Sequence, residues 1–528
     1  MNYLAVSALY YFKKSTKMLI KTYSAALSGI DAEIVTCEIN CSSGIRILMV
    51  GLPDITVKES RDRIQAAVEQ VGIKFPRKQI VINMAPADVR KEGAHYDLPL
   101  AIGILGAAEL IDTSLLDSYL IVGELSLDGT IQPVKGSLPI ALKALEQGFR
   151  GIILPSANAR EAAIVEGLEV HGASHLKEVI GFLNGTATLE QVRISADESF
   201  GRMPEWEQLD FADVKGQEDV KRALEVAAAG SHNLLLVGPP GAGKSMMAKR
   251  LPSILPPLTL QEALETTKIH SIAGYTASKG LITQRPFRAP HHTISSVALI
   301  GGGANPMPGE FSLAHNGVLF LDELPEFSRQ ALEVMRQPLE DRKICIARAK
   351  STVTYPAGLM LVASMNPCPC GYYNHPTKDC TCSANSVKRY MNKISGPLLD
   401  RIDLQIEIVP VPFEEMAAER TSEPSDMIRE RVMKARKIQE ERFRNEPGIY
   451  ANAQMTPRLL RKYARPDQEG LNRLRMAMDA FSLSARAYDR ILKVSRTIAD
   501  LDGSEQIRAA HIFEAIHYRN LDKESWAG

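Results

Sequence analysis

The sequence predicts an α/β core that is followed by a helical domain and preceded by a smaller α+β domain. Three observations support this fold class. The apolar run Leu234–Val237 leads into a glycine-rich loop and then a helix, and a second apolar run, residues 317–321, ends in two adjacent carboxylates. Residues 411–528 show helical periodicity almost throughout. Short buried strands that alternate with helices are typical of an α/β sheet.

The composition limits the classes of protein to which the chain can belong. At 528 residues it is too long for one hydrophobic core, so two to four domains are expected. Its 62 basic and 62 acidic residues cancel, and any nucleic-acid partner must therefore be held by local basic patches. No run approaches the roughly 18 apolar residues of a membrane span. Seven cysteines, four of them between Cys368 and Cys382, favour a reducing compartment over a disulfide framework. We expect a cytoplasmic protein without membrane attachment.

Residues 1–17 are interpreted as a dispensable N-terminal extension. Residues 4–12 are apolar, but no basic residue precedes them, and Lys13, Lys14 and Lys17 follow them instead. This order is wrong for a signal peptide, whose basic region comes first. Met18 immediately precedes an alternating segment and is expected to mark the start of the first domain.

The apolar pattern of residues 18–191 predicts the α+β domain. Alternating or short apolar runs predict its strands, and apolar residues at helical spacing predict the helices between them. The expected strands are 34–39, 45–50, 80–84, 121–125 and 152–154, and the expected helices are 59–71, 97–110 and 138–146. Residues 192–210 are polar and aperiodic, so they are expected to link this domain to a core at 211–410 and a helical lid at 411–528.

The loop after Leu234–Val237 has the pattern G-x-x-x-x-G-K-[ST] of a phosphate-binding loop. Glycines let backbone N–H groups converge on phosphate oxygens, and the helix N-terminus adds positive potential. We expect Lys244 to reach the β- and γ-phosphates of ATP and Ser245 to place its hydroxyl on Mg²⁺. The expected cofactor-binding residues of the loop are Gly238, Pro239, Pro240, Gly241, Ala242, Gly243, Lys244 and Ser245.

The apolar strand at residues 317–321 is expected to lie beside the phosphate-loop strand, and two carboxylates follow it. Open α/β sheets hold their ligands at the carboxyl ends of the strands. Asp322 would therefore hold the Mg²⁺ shell, and Glu323 would orient and deprotonate the attacking water. The pair predicts ATP hydrolysis and not nucleotide binding alone.

Two short runs, residues 344–347 and 352–355, predict a β-hairpin with a basic tip within 342–356. Arg348 and Lys350 at this tip are candidate DNA contacts, and an ordinary solvated hairpin is the alternative. If several copies formed a ring, their tips would line one pore. Each phosphate contact there would steepen the salt dependence of DNA binding.

Four cysteines cluster at residues 368–382. Four thiols within fifteen residues suit a tetrahedral structural zinc, but C-x-C spacing is less usual than C-x-x-C. Free thiols or a redox pair therefore remain alternatives. The four residues are Cys368, Cys370, Cys380 and Cys382.

A long insert, residues 252–316, follows the phosphate loop and contains the adjacent His291 and His292. Side chains of adjacent residues point in different directions, which is poor geometry for a shared metal. A hydrogen-bonding or DNA-contacting loop is expected there.

The N-terminal domain resembles the Lon-type protease domain in two segments, RKEGAHYDLPLAIGIL (residues 90–105) and GELSLDGTIQPVKGSLPIALKALEQG (residues 123–148). The resemblance implies a ribosomal S5 domain 2-like α+β fold.

The residues that would make this domain a protease are missing. The family's serine is expected just after Gly93, where this chain has Ala94, and its lysine is expected near Leu138. Without a Ser–Lys dyad no nucleophile is activated by its base. His95 and Asp97 could form a substitute pair, or they are simply packed or capping residues. We expect a non-proteolytic scaffold or substrate-handling module.

The core and lid resemble the magnesium-chelatase/minichromosome-maintenance branch of the AAA+ ring ATPases. The resemblance lies in the phosphate loop, Asp322-Glu323, Asn366, Leu-Leu-Asp-Arg401 and Ser-Ala-Arg486. It implies an AAA+ P-loop NTPase core with a C-terminal helical lid. The resemblance implies that Asn366 is sensor 1, a polar side chain that touches the γ-phosphate and the attacking water. Arg401 would be an arginine finger toward the neighbour's γ-phosphate, and Arg486 would be sensor 2, which closes over the phosphates (with Arg490 as the fallback). Val214 and Gly216 would line the adenine pocket.

Together with the Lon-like domain, the segment RPFRAPHHTIS and the four cysteines, these motifs resemble the bacterial YifB/ComM family over residues 18–520. This resemblance implies a homo-hexameric, ATP-driven motor on branched or single-stranded DNA. It would promote branch migration in homologous recombination during natural transformation, with recombination proteins as partners. Two alternatives stay open: a chelatase motor that inserts Mg²⁺ into a porphyrin, and a protein-remodelling chaperone that holds its client with the N-terminal domain.

Overall fold

The computed structural model describes residues 19–194, 209–276, 280–303, 306–348, 351–412, 422–481 and 483–519. The expected N-terminal extension and residues 195–208 of the expected linker lie outside the described residues. The chain forms two compact units. The first contains the described residues up to 194 together with those of Ala263–Ile282, and the second contains the described residues from 209 to Glu262 and from Thr283 onward.

The first unit is built on a mixed β-sheet. The strands of this unit are β1 (Leu19–Ser28), β2 (Asp31–Ser42), β3 (Ile47–Val50), β4 (Gln79–Ala85), β5 (Tyr119–Ile121), β6 (Glu124–Leu125), β7 (Ile131–Gln132), β8 (Gly151–Pro155) and β9 (Glu169–Ala173), and β6 and β7 pair only with each other. The main sheet has the order β3-β4-β2-β1-β5-β8-β9. β2 pairs antiparallel with β1 and β4, and the remaining pairs in this sheet are parallel. Val35, Cys37 and Ile39 point to the buried face of β2, as the alternation predicts.

Helices pack on this sheet. They are Ile55–Gln70, Asp97–Ala107, Ser137–Glu146, Ser156–Ala162 and Leu176–Leu183, with a 3₁₀ turn at Ala94–Tyr96. The helix Asp97–Ala107 is buried on every side, which explains why its sequence is apolar from Leu98 onward and not amphipathic. Asp54 caps the first helix by accepting a 2.8 Å hydrogen bond from the Val57 N–H.

His95 and Asp97 have separate partners in the first unit. His95 Nε2 lies 2.9 Å from the carbonyl oxygen of Ala25. The carboxylate of Asp97 accepts hydrogen bonds of 2.7 and 3.0 Å from the Arg63 guanidinium. Both side chains are thus packed and hydrogen-bonded to other groups, which is the simpler of the two interpretations given by the sequence.

Residues 263–282 belong to the first unit although they follow the phosphate loop in sequence. The Gly136 N–H donates to the carbonyl oxygen of Ser271 at 3.2 Å. The hydroxyl of Thr276 donates to Glu161 Oε2 at 2.9 Å, and both side chains are buried. This part of the expected insert therefore completes the fold of the N-terminal domain.

A five-stranded parallel sheet forms the centre of the second unit. The strands of this unit are β10 (Leu234–Val237), β11 (Phe287–Arg288), β12 (Gly301–Gly302), β13 (Met307–Pro308), β14 (Val318–Leu321), β15 (Lys343–Arg348), β16 (Ser351–Pro356), β17 (Met360–Met365) and β18 (Leu404–Glu407). The central sheet has the order β11-β14-β17-β10-β18 and is parallel throughout. β10, β14 and β17 are buried along their whole length, as their continuous apolar runs predict.

The helices of the second unit that precede its C-terminal part are Glu218–Gly230, Lys244–Arg250, Ser296–Ile300, Glu310–Leu313, Arg329–Val334, Arg336–Asp341, Ala384–Met391 and Gly396–Leu399. One further helix, Leu260–Ala273, belongs to the first unit from Ala263 onward. Shorter 3₁₀ turns lie at Phe211–Asp213, Leu251–Ile254, Leu324–Glu326 and Asn452–Gln454.

The C-terminal part of the second unit is helical, as expected. Its helices are Ser425–Phe443, Pro457–Tyr463, Gln468–Phe481, Ala485–Leu501 and Ala509–His517. Thr456 and Ser484 cap two of them through their hydroxyl groups. The apolar faces of these helices join the same core cluster as β10 and β18. In the described part of the chain, no helix combines the length and apolar character needed to cross a bilayer.

Candidate active site

The phosphate loop begins where β10 ends, and its glycines are required by the surrounding backbone. A Cβ atom at Gly238 would lie 2.5 Å from the carbonyl oxygen of Ile408, which leaves no room for a side chain. Gly241 and Gly243 have φ angles of +79° and +88°, a region that other residues rarely adopt. The helix then begins at Lys244, so its first N–H groups face the loop.

Lys244 crosses the mouth of this loop. Its ammonium group donates hydrogen bonds to the carbonyl oxygens of Gly238 (2.7 Å) and Pro239 (2.9 Å) and to Asn366 Oδ1 (3.0 Å). Burial lowers the pKa of Lys244, and the nearby carboxylates of Asp322 and Glu323 oppose that shift. The structure thus brings the expected phosphate-binding lysine and the expected sensor 1 residue into direct contact.

Oxygen atoms that suit Mg²⁺ meet at the carboxyl end of the sheet. The hydroxyl of Ser245 donates to Asp322 Oδ2 at 2.6 Å, and the hydroxyl of Ser364 donates to the other carboxylate oxygen. Hydroxyl and carboxylate oxygens are ligands that Mg²⁺ accepts in nucleotide sites, so these residues fit the ion. The apolar run 359–364 predicts a core strand that ends at Ser364, but a strand prediction does not show what the hydroxyl of a buried residue contacts.

Glu323 is presented toward solvent by an unusual backbone conformation. Its φ angle is +54°, its side chain is 55% exposed, and its N–H lies 3.4 Å from the Ser364 hydroxyl. This position suits a base that must reach a water molecule in front of the phosphates. His292 Nδ1 lies 3.7 Å from Glu323 Oε2.

The proximity of His292 to Glu323 follows from strand pairing. β11 pairs in parallel with β14, so the residues that follow the two strands meet at the same sheet edge. The sequence predicts a hydrogen-bonding or DNA-contacting loop for the two histidines, and His291 Nδ1 lies 3.0 Å from the Thr293 hydroxyl. DNA contact by this loop stays a prediction. The link to Glu323 was missed because the two-residue strand β11 carries little sequence signal.

The two residues expected near the adenine lie on the approach to the helix Glu218–Gly230. Val214 is fully buried in the same apolar cluster as Met247 and Ala248 of the phosphate-loop helix. Gly216 has a φ angle of +63°, which explains the choice of glycine. Adenine contact by Val214 and Gly216 stays a prediction.

Arg401 does not point into solvent. Its Nη1 donates to the carbonyl oxygen of Pro397 at 2.6 Å, and its Nη2 is ion-paired with Glu340. The side chain is 11% exposed. An arginine finger must leave Glu340 before it can contact a phosphate, so the role predicted for Arg401 requires a change of side-chain conformation.

Arg486 lies beside the same segment. Its Nη1 is 3.8 Å from Asp400 Oδ2, and its side chain is 58% exposed. Arg490, one turn further along the helix, is ion-paired with the buried Asp403 at 2.9 Å. Asp400 and Asp403 precede β18, at the amino end of a strand whose carboxyl end adjoins the phosphate loop. The contact therefore places Arg486 beside the Arg401 segment.

The sequence matches known proteins along most of its length. Three family models match it: "Magnesium chelatase, subunit ChlI" over residues 210–416, "Subunit ChlI of Mg-chelatase" over residues 37–158, and "Magnesium chelatase, subunit ChlI C-terminal" over residues 422–519. The chain is 43% identical over 504 residues to the uncharacterized protein YifB of Salmonella typhimurium, covering 95% of this chain and 97% of that protein. It is 44% identical over 502 residues to the competence protein ComM of Haemophilus influenzae, covering 94% and 97%.

The chain belongs to the YifB/ComM family of magnesium-chelatase-like AAA+ ATPases. The expected fold class is confirmed, and this AAA+ family implies ATP and Mg²⁺ as its cofactors. The Lon-like character of the first unit is also supported, since Lon protease 2 of Bacillus subtilis is 30% identical over 158 residues, 26% of each chain.

In this YifB/ComM-family chain the expected hairpin is present as β15 and β16. These strands pair antiparallel from Lys343↔Pro356 to Arg348↔Ser351. Arg348 is exposed at the end of β15. Lys350, the other expected DNA contact, lies outside the described residues. DNA contact at this tip stays a prediction.

The four cysteines of this family member converge. The Sγ atoms of Cys368, Cys370, Cys380 and Cys382 all lie within 4.8 Å of one another. Three of the Sγ–Sγ distances are 3.3, 3.5 and 3.7 Å. Four thiolates around one zinc, with Zn–S bonds of about 2.3 Å, would lie about 3.8 Å apart. The cluster therefore has a size that fits a tetrahedral metal.

Proposed function

We propose that this chain is an ATP-hydrolysing ring motor that acts on DNA, and that each ATP site is completed by a neighbouring copy. The observation that carries the proposal is the position of Arg401 relative to the phosphate loop. β18 pairs in parallel with β10, with Leu404 opposite Leu234 and Glu407 opposite Val237. The phosphate loop follows Val237, whereas Arg401 precedes Leu404.

Arg401 and the phosphate loop thus lie at opposite ends of the sheet. The strand from Leu404 to Glu407 alone spans about 10 Å at about 3.3 Å per residue. An arginine at the amino end is badly placed for the nucleotide of its own subunit and well placed for a nucleotide bound next door. Arg486 lies beside Asp400 at that same end, so it would also act on the neighbour's phosphates and not on those of its own subunit. A closed ring, here a homo-hexamer, gives every subunit such a neighbour.

The DNA role rests on the hairpin and on the family. The chain has no net charge, so DNA must be held by local basic groups, and Arg348 is exposed on a hairpin that six copies would direct into one pore. A relative of 44% identity bears the name competence protein. We infer that the motor is a branch-migration helicase in homologous recombination during natural transformation, with recombination proteins as partners, in the cytoplasm.

We also infer that the four cysteines bind a structural zinc. The fit of their Sγ atoms to a tetrahedral site and the absence of a disulfide among these described residues support this. Zinc would hold together a segment that has no strand pairing of its own among residues 368–382, as structural zinc does in small domains.

The test is the ATPase rate of purified protein with and without forked or four-way DNA, together with its particle mass in ATP. We expect a ring and a DNA-stimulated rate. Arg348→Ala with Lys350→Ala should reduce the stimulation and flatten its salt dependence, whereas alanine at the exposed Arg475 should not. A lone subunit that hydrolyses ATP at full rate, or stimulation only by protein clients or porphyrin-pathway subunits, would refute the proposal.

A further inference from the structure

A cavity lies at the amino ends of the central strands, whereas the phosphate loop lies at their carboxyl ends. Asn233, Met360 and Asp403 line it, and these residues precede or begin β10, β17 and β18. Arg436 and Arg490 of the C-terminal helices line its other side. Its volume of about 70 Å³ leaves room for a group of about five heavy atoms, because one water needs about 10–15 Å³ by this measure.

The cavity is lined by an excess of positive charge. Arg285, Arg342, Arg436 and Arg490 contribute four positive charges, and Glu262 and Asp403 contribute two negative ones. Two of the arginines are neutralised locally. Arg285 forms two hydrogen bonds of 3.0 Å to the Glu262 carboxylate, and Arg490 is 2.9 Å from Asp403. Arg342 and Arg436 account for the excess, and we call this site the arginine pocket.

Arg436 is a buried cation without a carboxylate of its own. It is 8% exposed, and its guanidinium donates to the carbonyl oxygen of Tyr450 at 3.2 Å and to the hydroxyl of Ser231. Its Nε has no acceptor among the described residues. Burial and the charge of Arg285 lower the pKa of Arg436 to about 10, against weaker opposing effects of Glu262 and Glu440. Buried charges are normally paired, so this geometry calls for an anion.

Arg342 supplies the second uncompensated charge. It precedes β15 in a left-handed conformation with a φ angle of 54°, and its Nη1 lies 3.4 Å from the carbonyl oxygen of Gly448. Within the described residues no carboxylate is close enough to raise the pKa of Arg342. Burial lowers the pKa of Arg342 as well. The two guanidinium groups thus approach the cavity from the hairpin base and from the helix Ser425–Phe443.

We propose that the arginine pocket binds a free phosphate ion between Arg342 and Arg436. Guanidinium groups bind tetrahedral oxyanions through paired N–H donors, and the unpartnered Nε of Arg436 is such a donor. The cavity holds a group of phosphate size, and a cation that is only 8% exposed is out of reach of the backbone of a DNA strand. The bound ion would connect the helical domain to the base of the basic hairpin.

The experiment is calorimetric titration of inorganic phosphate into the full chain saturated with Mg²⁺ and a non-hydrolysable ATP analogue, which keeps phosphate out of the phosphate loop. We expect one phosphate per chain, and at least tenfold weaker binding in Arg436→Gln and in Arg342→Gln. Arg473→Gln is the matched control, because this exposed arginine is paired with Glu469 on the same helix. Phosphate should also raise the melting temperature of the wild type and of the control more than that of the two variants.

Unchanged phosphate affinity in both variants would overturn the proposal. If Arg436→Gln does not fold, the phosphate affinity of Arg342→Gln alone tests the proposal, because Arg342 is only half-buried. If a DNA oligonucleotide displaces the bound phosphate with an affinity that depends on Arg436, the pocket serves the DNA backbone and the assignment to a free ion is wrong. None of these measurements depends on DNA-stimulated hydrolysis. A negative result for phosphate binding would therefore leave the ring-motor proposal standing, and a negative result for the ring motor would leave this one standing.

Discussion

Gly371 lies directly against Pro240, so closely that a Cβ atom at Gly371 would be 2.5 Å from Pro240 Cδ. Pro240 belongs to the phosphate loop, and Gly371 follows Cys370 of the sulfur cluster. The cysteine segment therefore supports the loop that binds the phosphates, and it begins two residues after Asn366, which contacts Lys244.

We predict that Gly371→Ala raises the KM for ATP by about tenfold, because the added methyl group must displace either the cysteine segment or Pro240. Gly371 also has a φ angle of +84°, which costs alanine about 1 kcal/mol wherever it occurs. Gly448→Ala separates the two effects, since Gly448 has a φ angle of +74° and no atom within 4 Å of its added Cβ. Steady-state kinetics of both variants make the measurement. Equal KM values would show that the contact with Pro240 does not matter.

Arg401→Ala should leave nucleotide affinity nearly unchanged and reduce hydrolysis by about 10³-fold, the lower end of what arginine fingers contribute. Lys244→Ala should instead abolish nucleotide binding. If Arg401 acts on the neighbour, a mixture of the two inactive proteins contains interfaces with an intact Lys244 facing an intact Arg401, and some turnover should return. A mixture that stays inactive while mixed rings form would contradict action between subunits.

His292→Ala should lower kcat several-fold with little change in KM, because His292 lies 3.7 Å from the expected catalytic base Glu323 and contacts no residue of the phosphate loop among the described residues. His291→Ala is the matched control, since His291 bonds Thr293 instead. Equal effects of the two substitutions would assign both histidines to loop structure. Glu323→Gln, measured alongside, should retain ATP while losing hydrolysis.

Lys493→Met should raise the free energy of unfolding at pH 7 by about 1–3 kcal/mol. Burial and the charge of Arg490 lower the pKa of Lys493 from 10.5 to about 8, against the opposing charge of Asp403, so the folded protein holds this proton less well than the unfolded chain. The penalty is complete below pH 8 and disappears as the pH rises toward 10.5. The advantage of the variant, measured by urea unfolding, should therefore shrink over this range.

Lys434→Met serves as the control for that series, because Lys434 is 72% exposed and paired with Glu430. We expect it to change the free energy of unfolding by less than about 0.5 kcal/mol at either pH. A pH-independent gain in Lys493→Met would mean that the added apolar contacts stabilise the protein and that the charge does not matter.

Strong local patterns account for what could be predicted. Apolar residues at helical spacing predict C-terminal helices at 426–444, 457–462, 469–480, 484–501 and 507–518, and the five described helices begin and end within about two residues of these bounds. Hydroxyl caps at Thr456 and Ser484 precede two of them. The continuous apolar runs 234–237, 317–321 and 359–364 likewise predict the strands β10, β14 and β17. In contrast, the sequence pattern predicts a single helix at 331–340, where the structure has two, Arg329–Val334 and Arg336–Asp341. Pro338 cannot donate to the carbonyl oxygen of Val334, so the helix is interrupted.

Long-range contacts account for what was missed. The five-residue strand β9 is not predicted, since so short a segment carries little periodic signal. The ten-residue strand β1 lies in the alternating segment that follows Met18, but it is not predicted there as a strand of its own. The ion pair of Arg401 with Glu340 joins residues 61 positions apart, and the proximity of His292 to Glu323 depends on a two-residue strand. Nor does the sequence around Arg342 and Arg436 indicate that both line one cavity, because their shared position arises only from the packing of helices onto the sheet.

The assignment of residues 263–282 to the first unit has a practical consequence for anyone who wishes to study the two units apart. A fragment that stops before the phosphate loop loses the Ser271 carbonyl and the Thr276 hydroxyl, which bond Gly136 and Glu161. A fragment that begins at the ATPase core contains residues 263–282 but lacks Gly136 and Glu161, their hydrogen-bond partners. A cut at one peptide bond therefore removes contacts from both fragments. To express the first unit alone, residues 263–282 must be fused to the N-terminal fragment.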